Sequence, residues 1–243
     1  MLIEKIKQGK QKLGAIWAKT KQTANELIVK VNAFCQNIYN ELSNSVKFVI
    51  DYVSPQVKEA NETETEWIMN GAVSVLNCIH NEDPLEAYCQ MSYEERLETV
   101  EKMAVSNAKL MGIKPCQLQV LDTLPANVMG YYNPENHVYA INASLVYSQP
   151  ITRETAARAI MNVMHEMFHA FQYSAMYQPH KYGVPDEVAA YWRRNAKNYC
   201  SFEMNPSFYY LQPLESYARY VEEGVMEWLR DPQMVQSILE HLN

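Results

Sequence analysis

The spacing of apolar residues along the chain predicts a mostly helical protein. Apolar positions recur at steps of three, four and seven residues, the period of an α-helix, from Leu2 to Val49. No proline occurs before Pro55, so this first stretch predicts one long helix, or two helices with a break near residues 9–14 or 20–25. The later helices are predicted at about 63–80, 92–112, 152–177, 185–198, 213–230 and 232–241.

A period of two interrupts the helical pattern in the middle of the chain. The stretch "CQLQVLDTL", residues 116–124, alternates between polar and apolar positions. The segment from Asn127 to Asn142 predicts two strands joined by a turn at residues 133–136. We therefore expect an α+β, predominantly helical fold with a small sheet that precedes the helix at 152–177.

Helix-capping residues and a polar linker divide the chain into an extension and a domain. Ser92 and Glu95 have the spacing of a capping box at the start of one helix, and Gly112 suits its end. The acidic stretch at 54–62 is predicted to be a linker. We expect a basic amphipathic helical extension at 1–53 and a domain at 63–243.

Charge is unevenly distributed along the sequence. Residues 1–30 hold seven lysines and two glutamates, a local net of +5, which leaves −12 for the rest of a chain whose formal net charge is −7. An acidic body argues against nucleic acid as a partner. The basic extension has three interpretations: it packs on the domain, it binds or inhibits as a partner helix, or it lies on an anionic membrane surface.

Composition indicates a globular protein without a transmembrane segment. Hydrophobic residues make up 48% of the chain and charged residues 20%, and no run of 18 apolar residues occurs. The charged start lacks the apolar core of a secretory signal, so a cytoplasmic location is expected. The cysteines are odd in number, scattered and without a CxxC pair, which predicts reduced thiols: Cys35, Cys78, Cys89, Cys116 and Cys200.

Two histidines and a glutamate interrupt the otherwise apolar helix at 152–177. His165, Glu166 and His169 form the pattern HExxH. Residues four apart lie on one face of a helix, so both imidazoles can reach one metal ion. Glu166 lies about 100° further round the helix, where its carboxylate can take a proton from a water that the metal activates.

Chance and burial both favour a metal site over an accidental pattern. The number of HExxH patterns expected in a chain of this composition is roughly 0.01. The neighbouring residues are apolar on nearly all sides, so the helix is predicted to be buried. Two imidazoles and a carboxylate in such a place are costly unless they are paired or bind a metal. Zinc is the expected ion, although the same ligand types accept manganese and other divalent ions.

A catalytic zinc site needs a third protein ligand. Glu215 in "PLESYA" is predicted for this place, because Pro213 suits the first turn of a helix and Glu215 lies in that turn. Ala218 is small enough to let this helix approach the histidine helix closely. The alternatives are Glu187, Glu222 and Glu223.

HExxH followed by a downstream ExxA resembles the gluzincin branch of the zincin metallopeptidases, in particular the small domains of the ImmA/IrrE type. The segment "MGYYNPENHVYAINASLV", residues 129–146, is similar to the strand pair that precedes the zinc helix in such proteins. The resemblance covers roughly residues 95–230. It implies a zincin-like domain in which an edge strand of the sheet lines the cleft and pairs with an extended peptide.

The resemblance also implies roles for individual residues. His165, His169 and Glu215 match the zinc ligands, and Glu166 matches the general base. Some gluzincins place an aspartate four residues after the third ligand to support the first histidine, but this chain has Arg219 there. The sequence also offers a candidate partner for His169 and candidate donors to an oxyanion. Gln172 is spaced to hydrogen-bond His169, and the candidate donors to a developing oxyanion are Tyr209, Tyr210, Tyr217 and His180.

The sequence therefore predicts a zinc-dependent metallopeptidase that hydrolyses a peptide bond in a protein or peptide. An endopeptidase is favoured because the aminopeptidase signature GxMxN is missing. The alternative is a non-catalytic, zinc-binding regulatory or interaction protein on the same scaffold. A third hypothesis makes the N-terminal extension the main functional element, through which a protein partner binds.

Overall fold

The structure of the protein is a computed structural model, and it describes residues 62–242. The predicted helical extension at 1–53 lies outside the described residues, as does the predicted linker except for its last residue. Residue 62 already belongs to the first described helix, one residue earlier than predicted.

Nine α-helices make up most of the described part of the chain. They are α1 (Glu62–Ile79), α2 (Pro84–Gln90), α3 (Tyr93–Leu110), α4 (Ser144–Tyr147), α5 (Arg153–Ala175), α6 (Asp186–Lys197), α7 (Pro206–Leu211), α8 (Pro213–Arg230) and α9 (Pro232–Leu242). A short 3₁₀ helix, Pro179–Tyr182, lies between α5 and α6. Each helix predicted within this range is present to within two residues at either end, so the expectation of a predominantly helical α+β fold is confirmed.

The sequence prediction missed the three short helices, α2, α4 and α7. Each spans seven residues or fewer, which is too short for the helical period to repeat. Local capping marks two of them instead, because Asp83 accepts a hydrogen bond from the amide of Glu86, and Asn205 accepts one from Phe208.

The capping box predicted at the start of α3 is present. Ser92 Oγ accepts a hydrogen bond from the amide of Glu95 at 3.2 Å, and the amide of Ser92 donates to Glu95 Oε2 at 2.7 Å. The helix ends where Gly112 takes a left-handed conformation, with φ of +67°.

The sheet has three strands in the order β1-β3-β2, where β1 is Gln117–Leu121, β2 is Gly130–Asn133 and β3 is Val138–Asn142. The predicted turn joins β2 and β3, which are antiparallel, and β1 runs parallel to β3. All five residues of β3 are buried, as the apolar run at its centre suggests for a middle strand. Strands β1 and β2 are the two edges of the sheet, and β2 is the edge strand that packs against α5.

Helix α5 is the centre of the core: α2, α3 and α8 pack on it, and α1 contacts it through the ring of Trp67. Four aromatic rings bracket its second half: Phe168 and Phe171 of α5 contact Trp67 of α1 and Trp192 of α6, with ring centroids 5.2–6.4 Å apart. This packing explains why α5 is apolar on nearly all sides, and it places the predicted HExxH residues inside the domain rather than on its surface.

Two further expectations can be compared with the described residues. The four cysteines between residues 62 and 242 are half-buried and form no disulfide: Cys78, Cys89, Cys116 and Cys200. None of the helices in this range is long and apolar enough to cross a lipid bilayer.

Candidate metal centre

The two histidines of the HExxH pattern lie one turn apart on the same face of α5. Their rings meet edge to face with centroids 4.6 Å apart, and the two Nε2 atoms are 3.0 Å from each other. Both histidines are buried, each with 9% of the residue's surface exposed. The helical spacing that the sequence predicted therefore brings both Nε2 atoms to one point.

Helix α8 brings the third predicted side chain to this point. The helix begins at Pro213, and Glu215 lies in its first turn with only 1% of its surface exposed. Glu215 Oε2 is 3.3 Å from Nε2 of His165, and Oε1 is 3.3 Å from Nε2 of His169. Ala218, one turn further, is fully buried, as expected where α8 approaches α5 closely.

The three side chains form a group that could hold one metal ion. One ligand atom from each of His165, His169 and Glu215 lies within 4.8 Å of the other two. No other group of three or more histidine, cysteine or acidic side chains with this property occurs between residues 62 and 242. Two imidazole nitrogens and a carboxylate oxygen are ligands that zinc accepts. That these three side chains bind a metal ion remains a prediction.

Hydrogen bonds on the far side of each ring orient both histidines. Nδ1 of His165 donates to Glu222 Oε2 at 2.9 Å, and Nδ1 of His169 donates to Gln172 Oε1 at 2.8 Å. Gln172 Nε2 in turn donates to the carbonyl of Leu214 at 3.1 Å, which fixes the orientation of the amide. With the Nδ1 atoms as donors, neutral rings present the Nε2 lone pairs to Glu215.

This arrangement of electron-rich atoms fits a cation. Three acceptors that converge in a buried place repel one another unless a proton or a metal ion lies between them. Glu215 Oε2 is buried and accepts no hydrogen bond, although Nε2 of His165 is near it. This orphaned oxygen, 3.3 Å from Nε2 of His165, is the contact that a metal ion would complete.

The charges of the group support the same conclusion. Burial opposes the charged form of His165, but the carboxylates of Glu215 and Glu222 outweigh it and raise its pKa well above the usual value. Burial likewise opposes the charge of Glu215, but His165 and His169 outweigh it and lower the pKa of its carboxyl far below the usual value. The site therefore favours one positive charge beside Glu215, and a proton and a metal ion compete for that position.

Glu166, the predicted general base, is buried beside this group, with 6% of its surface exposed. Burial is the largest effect on its carboxyl and raises its pKa. The nearby His165 and His169 oppose this rise and the carboxylates of Glu215 and Glu222 add to it, and the net pKa is raised. Its Oε1 accepts a hydrogen bond from Nδ2 of Asn162, one turn earlier on α5, at 3.3 Å. A buried carboxyl with a raised pKa is suited to accept and return a proton near neutral pH.

The support that some gluzincins give to the first histidine comes here from a different position. Arg219, four residues after Glu215, pairs with Glu215 and not with His165; its Nη1 lies 3.6 Å from Glu215 Oε2. Glu222, one turn further along α8, supplies the carboxylate. Glu222 is one of the alternative third ligands, and the structure places it behind His165, at Nδ1. The other two alternatives, Glu187 and Glu223, lie outside the group of three.

A tyrosine that the sequence interpretation did not select contacts the site. Tyr199, in the segment between α6 and α7, donates a hydrogen bond from its hydroxyl to Glu215 Oε1 at 2.6 Å. Of the four predicted donors, Tyr209 is beside Glu215. Burial is the largest effect on its phenol and raises its pKa, and the charge of Glu215 and a hydrogen bond to it raise the pKa further.

The other three predicted donors have different surroundings. Tyr217 packs edge-on against Trp192, with ring centroids 5.6 Å apart. Tyr210 lies under the guanidinium of Arg219, 4.6 Å from the ring centroid. His180 is exposed, with Nε2 3.6 Å from Asp186. None of these three side chains is hydrogen-bonded or ion-paired to the histidines or glutamates of the site.

Comparisons with known proteins do not identify the chain. No protein-family model, no curated protein and no solved structure matches it. The resemblance to gluzincins therefore depends on the HExxH and ExxA patterns and on the local geometry that has been described, and it stays a prediction.

Proposed function

We propose that this protein is a zinc-dependent metallopeptidase that hydrolyses a peptide bond in a protein or peptide. The observation that carries the proposal is the convergence of His165, His169 and Glu215 on one buried point, with Glu166 next to His165 in the sequence and buried at the same place. A site that only stabilises a fold needs ligands but has no use for an unligated carboxylate beside them.

The number of ligands distinguishes this site from a structural one. Structural zinc sites are commonly closed by four protein ligands, often cysteines, whereas catalytic sites have three. Among residues 62–242, the side chains that converge in this way are two histidines and one glutamate, without a cysteine. His165, His169 and Glu215 would hold the ion. A zinc ion supplies Lewis acidity, which polarises a carbonyl group and makes water more acidic.

Two side chains carry the other steps, which are proton transfer and stabilisation of the oxyanion. Glu166 takes a proton on a carboxylate oxygen from the attacking water and gives it to the nitrogen of the leaving amine. Its burial keeps bulk water from competing for that proton. Tyr199, whose hydroxyl already lies within hydrogen-bond distance of Glu215, is the donor at the site that is best placed to stabilise the developing oxyanion.

The sheet offers a surface along which a peptide can bind. Strand β2 is an edge strand, and it contacts the helix that carries the histidines. An extended peptide can add to such an edge through main-chain hydrogen bonds. We infer that the substrate lies antiparallel or parallel to β2, with its scissile bond toward the metal group.

A non-catalytic, zinc-binding regulatory protein on the same scaffold is the second candidate. One observation favours it: Tyr199 and Arg219 both approach Glu215, with Tyr199 Oη 2.6 Å from one oxygen and Arg219 Nη1 3.6 Å from the other. The hydroxyl proton of Tyr199 is engaged with Glu215 and would have to leave it before this phenol could bind an oxyanion, and Arg219 places a cation beside the same carboxylate. This candidate predicts zinc binding without turnover.

The two candidates are separated by a cleavage experiment on the zinc-loaded full chain. The substrate is a library of peptides from a digested proteome, with the new termini identified by mass spectrometry. We expect the wild type to cleave a consistent subset and Glu166→Gln to lose at least about 100-fold in rate while it keeps its zinc, since this is the size of a lost general base.

The matched control is Glu154→Gln. Glu154 is an exposed glutamate on the same helix that pairs with Arg158 at 2.8 Å, and an exposed pair of this kind contributes little. Its cleavage rate should equal that of the wild type. A zinc-loaded wild type that cleaves no peptide would contradict the peptidase proposal and favour the regulatory one.

A further inference from the structure

We propose that Asn162 is a positioning residue for Glu166, held in place by Tyr139 of the sheet, and this inference rests on the proposed function. The three side chains form a buried chain of hydrogen bonds from β3 through α5 to the carboxylate. Tyr139 Oη lies 3.0 Å from Asn162 Oδ1, and Asn162 Nδ2 lies 3.3 Å from Glu166 Oε1. The HExxH pattern contains neither Asn162 nor Tyr139.

Helical geometry places Asn162 within hydrogen-bond distance of Glu166, whereas Nδ1 of each histidine is bonded to another residue. Residues 162 and 166 are four apart, so their side chains are neighbours on one face of α5. His165 and His169 are held by other partners, Glu222 and Gln172. The three side chains that carry the HExxH chemistry therefore each have a separate hydrogen-bond partner.

The direction of the hydrogen bonds follows from the chemistry of the partners. Burial raises the pKa of the Tyr139 phenol well above its usual value, so the hydroxyl keeps its proton and can donate it to Asn162 Oδ1. The amide then presents Nδ2 to Glu166. The flipped amide would place two acceptor oxygens against each other, so the assigned orientation is the favourable one.

A glycine of the edge strand leaves the space that this arrangement needs. A Cβ atom on Gly130 would lie 2.6 Å from Asn162 Oδ1 and 2.3 Å from the carbonyl oxygen of Ala140. No side chain fits there without a shift of the strand or of the amide. Strand β2 thus packs directly on Asn162, which restricts the side chain to one orientation.

The consequence for Glu166 is that one carboxylate oxygen is occupied and the other is left for the proton. Asn162 donates to Oε1, which leaves Oε2 as the more basic oxygen to accept a proton from water. A hydrogen bond from an amide also holds the carboxylate at a fixed angle to the helix. The same hydrogen bonds would exist if Asn162 served only the packing of sheet and helix, so the test must separate these two roles.

The experiment uses the zinc-loaded full chain and acetohydroxamate as the probe. This small acid binds zinc as its anion and leaves its proton on a neighbouring base, so its affinity depends on the position of Glu166 and needs no knowledge of the substrate. Zinc per chain, the dissociation constant of acetohydroxamate and the free energy of unfolding are measured for the wild type, Asn162→Leu and Tyr139→Phe.

We expect each variant to bind one zinc per chain. Asn162→Leu should weaken acetohydroxamate binding by about tenfold, the effect of one lost hydrogen bond to a charged group. Tyr139→Phe keeps the ring packing and should weaken it in the same direction by a smaller factor. In a Glu166→Gln background, Asn162→Leu should have no further effect on the dissociation constant, because its role acts through Glu166.

Asn107→Leu is the matched control. Asn107 is a buried asparagine of α3 that contacts Met164 of α5 and is not bonded to Glu166. Its substitution should change the unfolding free energy but leave acetohydroxamate binding within about twofold.

The outcomes separate this inference from the proposed function. Equal affinities in the wild type, Asn162→Leu and Tyr139→Phe would overturn the positioning role alone, as would an equal loss in the Glu166→Gln background. A wild type that binds no zinc would overturn the proposed function, and the positioning role with it. If Asn162→Leu does not fold, Tyr139→Phe carries the same test.

Discussion

Glu222 Oε2 lies 2.9 Å from Nδ1 of His165, on the edge of the ring opposite the one that faces Glu215. Two carboxylates of one helix, seven residues apart, therefore hold a single imidazole from both sides. Glu215 faces the point where a metal ion would be bound, and Glu222 fixes the tautomer and the angle of the ring. In metal sites such an outer carboxylate makes the histidine a better ligand.

Substitution of Glu222 should therefore weaken zinc binding without removing it. In Glu222→Leu the Nδ1 proton of His165 loses its buried acceptor, and we expect the zinc affinity to fall by about 10- to 100-fold, the usual effect of losing such a partner. Competition with a chromophoric chelator measures the affinity. Glu223→Leu, an exposed neighbour on the same helix, is the control and should bind zinc like the wild type. Equal affinities in both variants would show that Glu222 does not support the metal group.

Gln172 links the histidine helix to the start of α8, and its loss should destabilise the fold. Gln172→Leu leaves the carbonyl of Leu214 and Nδ1 of His169 without their partners in a buried place. We expect the free energy of unfolding of the metal-free protein to fall by about 1–3 kcal/mol. Urea unfolding followed by tryptophan fluorescence measures it. Gln90→Leu, which alters an exposed bond to Glu86, should stay within about 0.5 kcal/mol of the wild type.

Half-buried thiols predict a loss of stability at alkaline pH. Burial is the largest effect on Cys78 and raises its pKa to about 11, against a usual value near 9, and burial raises the pKa of Cys116 to about 12. A thiol with a raised pKa in the folded state stabilises the fold below pH 9, and this contribution is lost as the pH rises toward 11 or 12, because the unfolded chain releases its protons first.

Cys78→Ala tests this linkage. The substitution should lower stability somewhat at pH 7 through lost packing, but the free energy of unfolding should then fall less steeply between pH 9 and pH 11 than in the wild type. Urea titrations at several pH values give both slopes. Parallel curves would mean that Cys78 has the same pKa in the folded and unfolded chain.

The sequence was sufficient to predict the three converging side chains because helical geometry is local. His165 and His169 are one turn apart, so no tertiary information is needed to place them on one face. Glu215 could be selected because Pro213 marks the start of its helix and Ala218 permits close packing. The direction of α8 relative to α5 was not needed to choose the residue, only to confirm that it reaches the histidines.

The partners of these side chains were harder to predict, for different physical reasons. Glu222 was named only as an alternative metal ligand, because its contact with His165 depends on the angle at which α8 crosses α5. Tyr199 lies in an irregular segment whose path no periodic pattern determines. Asn162 could have been found, since it lies four residues before Glu166 on the same helix, whereas its partner Tyr139 required knowledge of how β3 packs.

The fold was predictable to the same extent. Long helices with several repeats of the apolar pattern were placed to within two residues, and the strand pair joined by a tight turn was recognised. The parallel pairing of β1 with β3 was not predicted, because it joins strands that are separated in the sequence by β2. Such non-local pairing leaves no trace in the local pattern of residues.

The most direct test of the account is the zinc content of the purified full chain after zinc addition and removal of excess metal, measured by mass spectrometry for the wild type, Glu215→Ala and His165→Ala. Glu223→Ala serves as the matched control. The account predicts about one zinc per chain in the wild type and in Glu223→Ala, as expected for one three-ligand site, and none in the other two variants. A wild type without zinc, or a Glu215→Ala chain that keeps its zinc, would contradict it.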